Sequence, residues 1–128
     1  MYDIRNEASS TGADHRYRAF LAEGEFRIPR CAECGRAHFY PRVVCPFCDS
    51  TSLEWVLASG LGHVYSTTVV RGRSAAYNVA LVDLEEGPRM MTRIDGLAPE
   101  SVTIGMPVRA RILADDEPLI VFVPEQPR

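Results

Sequence analysis

Near the start of the chain, hydrophobic positions recur with a helical spacing. In the segment DHRYRAFLAE, Tyr17, Phe20 and Leu21 stand at i, i+3 and i+4, which places them on one face of a short helix. Asp14 is the expected N-cap, and Gly24 is the expected end of the helix. A helix of this length is marginal alone in water. Its apolar face must therefore dock either within its own chain or on another chain, and both options stay open.

After this helix, apolar and polar residues alternate, which is the spacing of strands with one buried face. One strand is expected to run through Phe26 and Ile28 into Cys31, and a return strand through Leu53 and Trp55. From residue 60 onward, segments rich in Val, Thr, Tyr and Ile are separated by Gly, Pro and acidic turns. We predict five strands there, over residues 62–71, 77–84, 89–95, 107–113 and 119–123.

A helical turn is predicted at residues 99–102, between the third and fourth of these strands. Five strands with a helical element at that place are the order of an OB-fold, a small Greek-key barrel. The predicted fold class is therefore mainly β, with a short N-terminal helix. We expect three regions: an N-terminal tail and helix over 1–24, a cysteine-containing module over 25–57 and a barrel domain over 58–128.

Four cysteines lie within the second region, in the pattern C-x2-C-x10-C-x2-C: Cys31, Cys34, Cys45 and Cys48. Two residues between cysteines allow a tight turn to point both thiolates at one ion, and two such turns complete a tetrahedral sulfur shell. Gly35 and Pro46 are the turn-forming residues of the two motifs. The pattern predicts a structural zinc ribbon, whose four thiolates leave no coordination position open for water or substrate.

The sequence offers two alternatives to this zinc site, an iron centre and a histidine ligand. A rubredoxin-like iron centre also uses two such motifs, although rubredoxins are not followed by a second domain of this kind. His38 lies between the two cysteine pairs, but with four thiolates available it is expected to be an ordinary ribbon residue. A colourless protein would support zinc, and a red one would support iron.

Composition and charge narrow the possible functions. The chain has 128 residues with a net charge of −3, which disfavours a protein that follows a phosphate backbone. All basic residues are Arg, so lysine-based covalent chemistry is excluded. No apolar run approaches the ~20 residues of a membrane span, and residues 1–11 are polar and lack the apolar segment of a secretory signal. We therefore expect a cytoplasmic protein.

No set of residues resembles a catalytic constellation. The histidines His15, His38 and His63 are scattered, and the cysteines are consumed by the metal. His63 and Ser66 should point to opposite faces of a regular strand, so they are not expected to act together. The acidic run at residues 115–117 is expected to be a solvated loop. These observations predict a protein that is not an enzyme by itself.

A nucleic-acid-binding module is the alternative function. Zinc ribbons and OB-folds both occur in such proteins, and Tyr65, Tyr77 and Arg71 offer stacking and charge for single strands. The acidic net charge argues against it. In addition, Arg71 and Arg73 are the only close basic pair near the predicted barrel strands, and they also fit a polar loop.

Taken together, several segments carry a family resemblance: GEFRIPRCAECGR, YPRVVCPFC, SGLGHVYSTTVV, YNVALVDLEEGPRMMTRIDG and IGMPVRARI. They resemble the family of zinc-ribbon and OB-fold proteins associated with acyl-CoA metabolism, which has long been classified as a domain of unknown function. The resemblance covers roughly residues 15–124. It implies a rubredoxin-like zinc ribbon followed by an OB-fold, and a non-catalytic subunit that supports a partner's acyl-CoA chemistry.

The same resemblance implies a thiolase, an acyl-CoA synthase or a hot-dog-fold enoyl-CoA hydratase as the partner. We expect residues 14–28 and the ribbon to form much of the docking surface, with Tyr17 and Phe20 contacting the partner. Direct binding of acyl-CoA by the barrel is a second hypothesis. Arg71 and Arg73 would then meet the CoA phosphates, because guanidinium groups pair bidentately with phosphate.

Overall fold

A computed structural model describes residues 12–113 and 117–125. The predictions made for residues 1–11, Asp115 and Asp116 lie outside the described residues. Within the described residues, the chain forms two compact units, one of residues 12–58 with 117–119 and one of residues 59–113 with 120–125. No helix in this part of the chain has the length and apolar character needed to cross a membrane.

The first unit contains helix α1 (Ala13–Ala22) and two antiparallel strands, β1 (Arg27–Cys31) and β2 (Leu53–Leu57). The prediction of Asp14 as N-cap is wrong, because the helix is capped by Gly12, whose side chain cannot accept a hydrogen bond. Asp14 instead lies in the first turn, where its carboxylate accepts hydrogen bonds from Arg18 and from the hydroxyl of Tyr40. Gly24, with a φ of 85°, ends the helix as expected.

Aromatic packing holds α1 within its own unit. The ring of Tyr17 is 7% exposed and packs edge-on against Phe26 and Phe39, with centroid distances of 6.5 Å and 5.4 Å. Phe20 lies 5.3 Å from the ring of Trp55 on β2. Tyr17 therefore takes the option of packing within its own chain, while Phe20 stays half-buried.

The second unit is a five-stranded sheet in the order β5-β4-β3-β6-β7. Its strands are β3 (Leu61–Arg71), β4 (Ala76–Leu84), β5 (Arg89–Thr92), β6 (Pro107–Leu113) and β7 (Leu119–Pro124), and a 3-10 turn (Pro99–Ser101) stands between β5 and β6. Val64, Val82, Val108 and Phe122 form its fully buried centre. These elements confirm the predicted fold class, down to the helical turn between the third and fourth strands.

Two details of the barrel differ from the regular strands expected. A bulge interrupts β3, since Val64 pairs with Val82 and Ser66 with Leu81, leaving Tyr65 without a partner in β4. The argument that His63 and Ser66 lie on opposite faces assumed an unbroken strand, so it does not hold across this bulge. Strand β5 ends at Thr92, because the chain turns there and Ile94 forms a parallel bridge to Phe122 of β7.

Candidate metal centre

The two cysteine motifs form two similar turns. The N–H of Gly35 donates to the carbonyl of Cys31 at 2.8 Å, and the N–H of Asp49 donates to the carbonyl of Cys45 at 2.9 Å. Gly35 and Asp49 both adopt a positive φ, of 78° and 66°. Glycine adopts this conformation freely, and aspartate tolerates it better than most residues. Sequence reasoning identified Gly35 but missed Asp49, which occupies the equivalent place in the second turn.

These turns bring the four sulfur atoms together, all within 4.8 Å of one another. The Sγ atoms of Cys31 and Cys48 are 3.6 Å apart, and those of Cys34 and Cys45 are 3.7 Å apart. Four sulfurs at about 2.3 Å from one tetrahedral ion would be about 3.8 Å from each other. The donor set and its spacing therefore fit zinc, with every coordination position taken by a thiolate.

The backbone around Cys31 favours a thiolate. The N–H groups of Cys34 and Glu33 lie 3.4 Å and 3.3 Å from its Sγ. These donors lower the pKa of the Cys31 thiol to about 6, with Cys34 contributing most. Zinc binds the deprotonated thiol, so these N–H groups favour the protonation state of Cys31 that the metal requires.

His38 lies outside the sulfur cluster, as predicted. The side chain is 4% exposed, and neither ring nitrogen has a hydrogen-bond partner among the described residues. Burial and the positive charge of Arg42 lower the pKa of His38. The imidazole is thus held in its neutral form as a packing residue of the ribbon.

The candidate phosphate-binding arginines lie at the turn that joins β3 to β4. Arg71 ends β3 and pairs with Glu100 at 3.4 Å, and Arg73 is exposed in the following turn. Among the described residues, neither arginine is held by a buried partner. Their positions are compatible with contact to a phosphate, but the geometry does not fix either guanidinium for that purpose.

Two arginines of the barrel domain are paired with neighbouring carboxylates. Arg89 lies 3.4 Å above the ring of Tyr65 and pairs with Asp83 at 2.6 Å. Arg93 pairs with Asp95 at 2.8 Å. A groove for single-stranded nucleic acid needs unneutralised cations along its length, and these arginines are already paired.

The fold and the four-cysteine site together define a protein with a zinc ribbon followed by an OB-fold barrel. A sequence model of the ChsH2 rubredoxin-like zinc ribbon domain matches residues 18–54, and one of the ChsH2 C-terminal OB-fold domain matches residues 55–113. The chain belongs to the ChsH2 (DUF35) family. Its four cysteines form the structural zinc site of the ribbon.

Relatives with known names or structures support this assignment. A solved chain described as "Ltp2-ChsH2(DUF35) aldolase" is 37% identical, with a TM-score of 0.78, and the match covers 88% of this chain and 94% of that one. A probable enoyl-CoA hydratase alpha subunit of Thermomonospora curvata is 40% identical over 79% of this chain and 34% of its own length. A DUF35 domain-containing scaffold protein of Methanocaldococcus jannaschii is 40% identical over 63% of this chain and 62% of its own length.

This chain spans only part of the length of two of these relatives. It matches about a third of the hydratase alpha subunit and less than two thirds of the scaffold protein. The remaining parts of those two proteins therefore lie outside the match.

Proposed function

We propose that this protein is a non-catalytic accessory subunit of an enzyme complex that processes acyl-CoA. The observation that carries the proposal is the 37% identity to almost the whole length of a chain from an Ltp2-ChsH2(DUF35) aldolase. Relatives named as a hydratase alpha subunit and as a scaffold protein point the same way. An enoyl-CoA hydratase is therefore one partner class, and a thiolase or acyl-CoA synthase is another.

The chemistry of the metal site supports a structural role. Zinc held by four thiolates has no open position at which to activate water or polarise a carbonyl. The ion instead stabilises the ribbon, which has few other buried residues around the cysteines. Reduced thiolates also require a reducing compartment, so we propose that the protein acts in the cytoplasm.

We further propose that α1 and the ribbon contribute to the docking surface. Tyr17 is buried and serves the fold of its own unit. Phe20 is half-buried beside Trp55 and keeps part of its ring accessible. Phe20 is thus the residue of the predicted pair that can meet a partner without unfolding the helix.

Purification from the native host tests the accessory role. The tagged chain should co-elute in near-stoichiometric amount with a thiolase, acyl-CoA synthase or enoyl-CoA hydratase. The activity of that enzyme toward acyl-CoA should fall when the chain is omitted and return when it is added back. A partner without acyl-CoA activity, or turnover of acyl-CoA by the isolated chain, would overturn the proposal.

The docking surface is tested on the same complex. Phe20→Ser should weaken binding of the partner about tenfold while one zinc stays bound, since a buried interface aromatic contributes strongly to affinity. Met91→Ser, which removes an exposed apolar side chain from the barrel instead, is the control. Equal affinity of the Phe20→Ser variant and the wild type would refute the assignment of α1.

A further inference from the structure

A small basic pocket lies in the first unit, and none of the four cysteines lines it. Its volume is about 200 Å³, and its lining includes Arg16, Arg42, Thr51 and Trp55. The guanidinium carbon of Arg16 lies 5.9 Å from the centre of the Trp55 ring. Helix α1 supplies Arg16, the loop before the second cysteine motif supplies Arg42, and the segment from the second motif into β2 supplies the Thr51 hydroxyl and the Trp55 indole.

The two arginines of this pocket differ from most other arginines of the first unit, which are paired with carboxylates. Three other arginines of the unit are paired with carboxylates, in Arg18–Asp14, Arg27–Glu25 and Arg30–Glu54. Arg16 and Arg42 have no carboxylate within ion-pair distance among the described residues, and no acidic residue of that part of the chain lines the pocket. The two guanidinium groups therefore remain available to an anion.

The start of α1 also lines the pocket, and Asp14 in its first turn offsets only part of the positive charge that the helix dipole places there. Ala13 lines the pocket, and the helix N-cap is Gly12, which provides no side-chain cap. The N–H groups of the first turn of a helix lack partners within the helix, and the helix dipole places partial positive charge there. Two arginines and an uncapped helix start thus converge on the same cavity.

We propose that this pocket binds a phosphate group of a small molecule. Guanidinium groups donate paired hydrogen bonds to phosphate oxygens, and the Thr51 hydroxyl offers one further donor. Pockets for whole drug-sized ligands measure about 300 to 1,000 Å³. The smaller cavity here fits a terminal phosphate, with the remainder of the ligand outside it. This inference does not depend on the proposed function, because it requires no partner enzyme.

The single tryptophan of the chain gives a direct readout. Trp55 fluorescence is followed while pyrophosphate is added to the full zinc-loaded chain at constant ionic strength. We expect a saturable change with a dissociation constant of about 1 mM or tighter. A parallel titration with CoA distinguishes a free phosphate from a phosphate carried by a cofactor, and tighter binding of CoA than of pyrophosphate would identify the cofactor as the source.

Matched variants locate the site. Arg16→Gln and Arg42→Gln should each weaken pyrophosphate binding about tenfold, as expected for loss of a charge-assisted hydrogen bond. Arg18→Gln, on the same helix but outside the pocket, should leave binding unchanged, and zinc content confirms that each variant is folded. Absence of a saturable response, or equal binding by the Arg16 and Arg42 variants and the wild type, would overturn the proposal. Weakening by Arg71→Gln or Arg73→Gln instead would overturn it in favour of the barrel arginines.

Discussion

The side-chain oxygen of Asn78 accepts a hydrogen bond of 2.9 Å from the backbone N–H of Ile94. Asn78 is 4% exposed on β4, and its amide nitrogen donates to the hydroxyl of Thr67 at 2.6 Å. Ile94 in turn bridges Phe122 on β7. One buried amide therefore links the β3–β4 pair to the segment that closes the barrel.

Removing this amide should destabilise the barrel. In Asn78→Ala, the buried N–H of Ile94 loses its acceptor, and we expect the free energy of unfolding to fall by about 2 kcal/mol or more. Denaturant unfolding followed by far-UV circular dichroism measures the change. Thr68→Ala is the control, because Thr68 is exposed and meets Asn78 through its backbone carbonyl. A loss below about 0.5 kcal/mol in Asn78→Ala would contradict the role assigned to the amide.

The close approach of β3 and β4 requires glycine at position 62. A Cβ atom at Gly62 would lie 2.6 Å from the carbonyl oxygen of Asp83 and 2.7 Å from a methyl group of Val82. Gly62→Ala should therefore cost about 1 to 3 kcal/mol of stability, as overpacked substitutions do. At Gly72 the nearest atom would be 3.5 Å away, so Gly72→Ala should be nearly neutral. Similar unfolding midpoints for the two variants would contradict the requirement for glycine at position 62.

Loss of one thiolate should abolish metal binding. Cys34→Ser leaves three sulfurs and is expected to reduce zinc from one ion per chain to near zero, with unfolding of the ribbon. Glu33→Gln, in the same turn, keeps the N–H groups that support Cys31 and should retain zinc. Metal analysis of both purified proteins checks this. The wild-type protein should be colourless, whereas a red preparation would indicate iron.

His38 should make stability depend on pH. Burial lowers the pKa of folded His38 below the ordinary histidine value of about 6.5. Above that pH, the side chain is therefore neutral in both the folded and the unfolded protein. Below that pH the unfolded state takes up a proton before the folded state does, so stability falls as the pH falls from about 6.5 toward the lower folded pKa. His38→Leu removes this contribution, and its stability relative to the wild type should rise on acidification.

Unfolding of zinc-loaded proteins between about pH 8 and pH 5 measures this difference. Proton uptake by the cysteines on zinc release is common to both proteins and cancels in the comparison. His15→Gln, which replaces an exposed histidine, should follow the wild type throughout. A constant difference between His38→Leu and the wild type across this range would refute the prediction.

The sequence predicted the elements whose signals are local. Alternating apolar residues identified the five barrel strands, because each strand buries one face. The two C-x2-C motifs identified the metal site, because ligand spacing within a turn is fixed by a few backbone angles. Strand β6 was predicted with its observed bounds, Pro107–Leu113.

What the sequence could not predict depends on residues far apart in the chain. The burial of Tyr17 depends on its contact with Phe39, and the basic pocket depends on the meeting of Arg16 and Arg42. The bulge at Tyr65 depends on the register between two strands. Helical spacing indicated that one face of α1 is apolar, but not which surface covers it.

The cysteines of each motif differ in access: Cys31 and Cys45 are buried, whereas Cys34 and Cys48 are exposed. Exchange of the ion should therefore proceed from one side, with a competing chelator displacing the two exposed sulfurs before the two buried ones. In the zinc-bound ribbon all four sulfurs are thiolates, so alkylating reagents and oxidants should likewise react first at the exposed Cys34 and Cys48. The rate of zinc release should therefore depend on the two exposed ligands, Cys34 and Cys48, more than on the two buried ones.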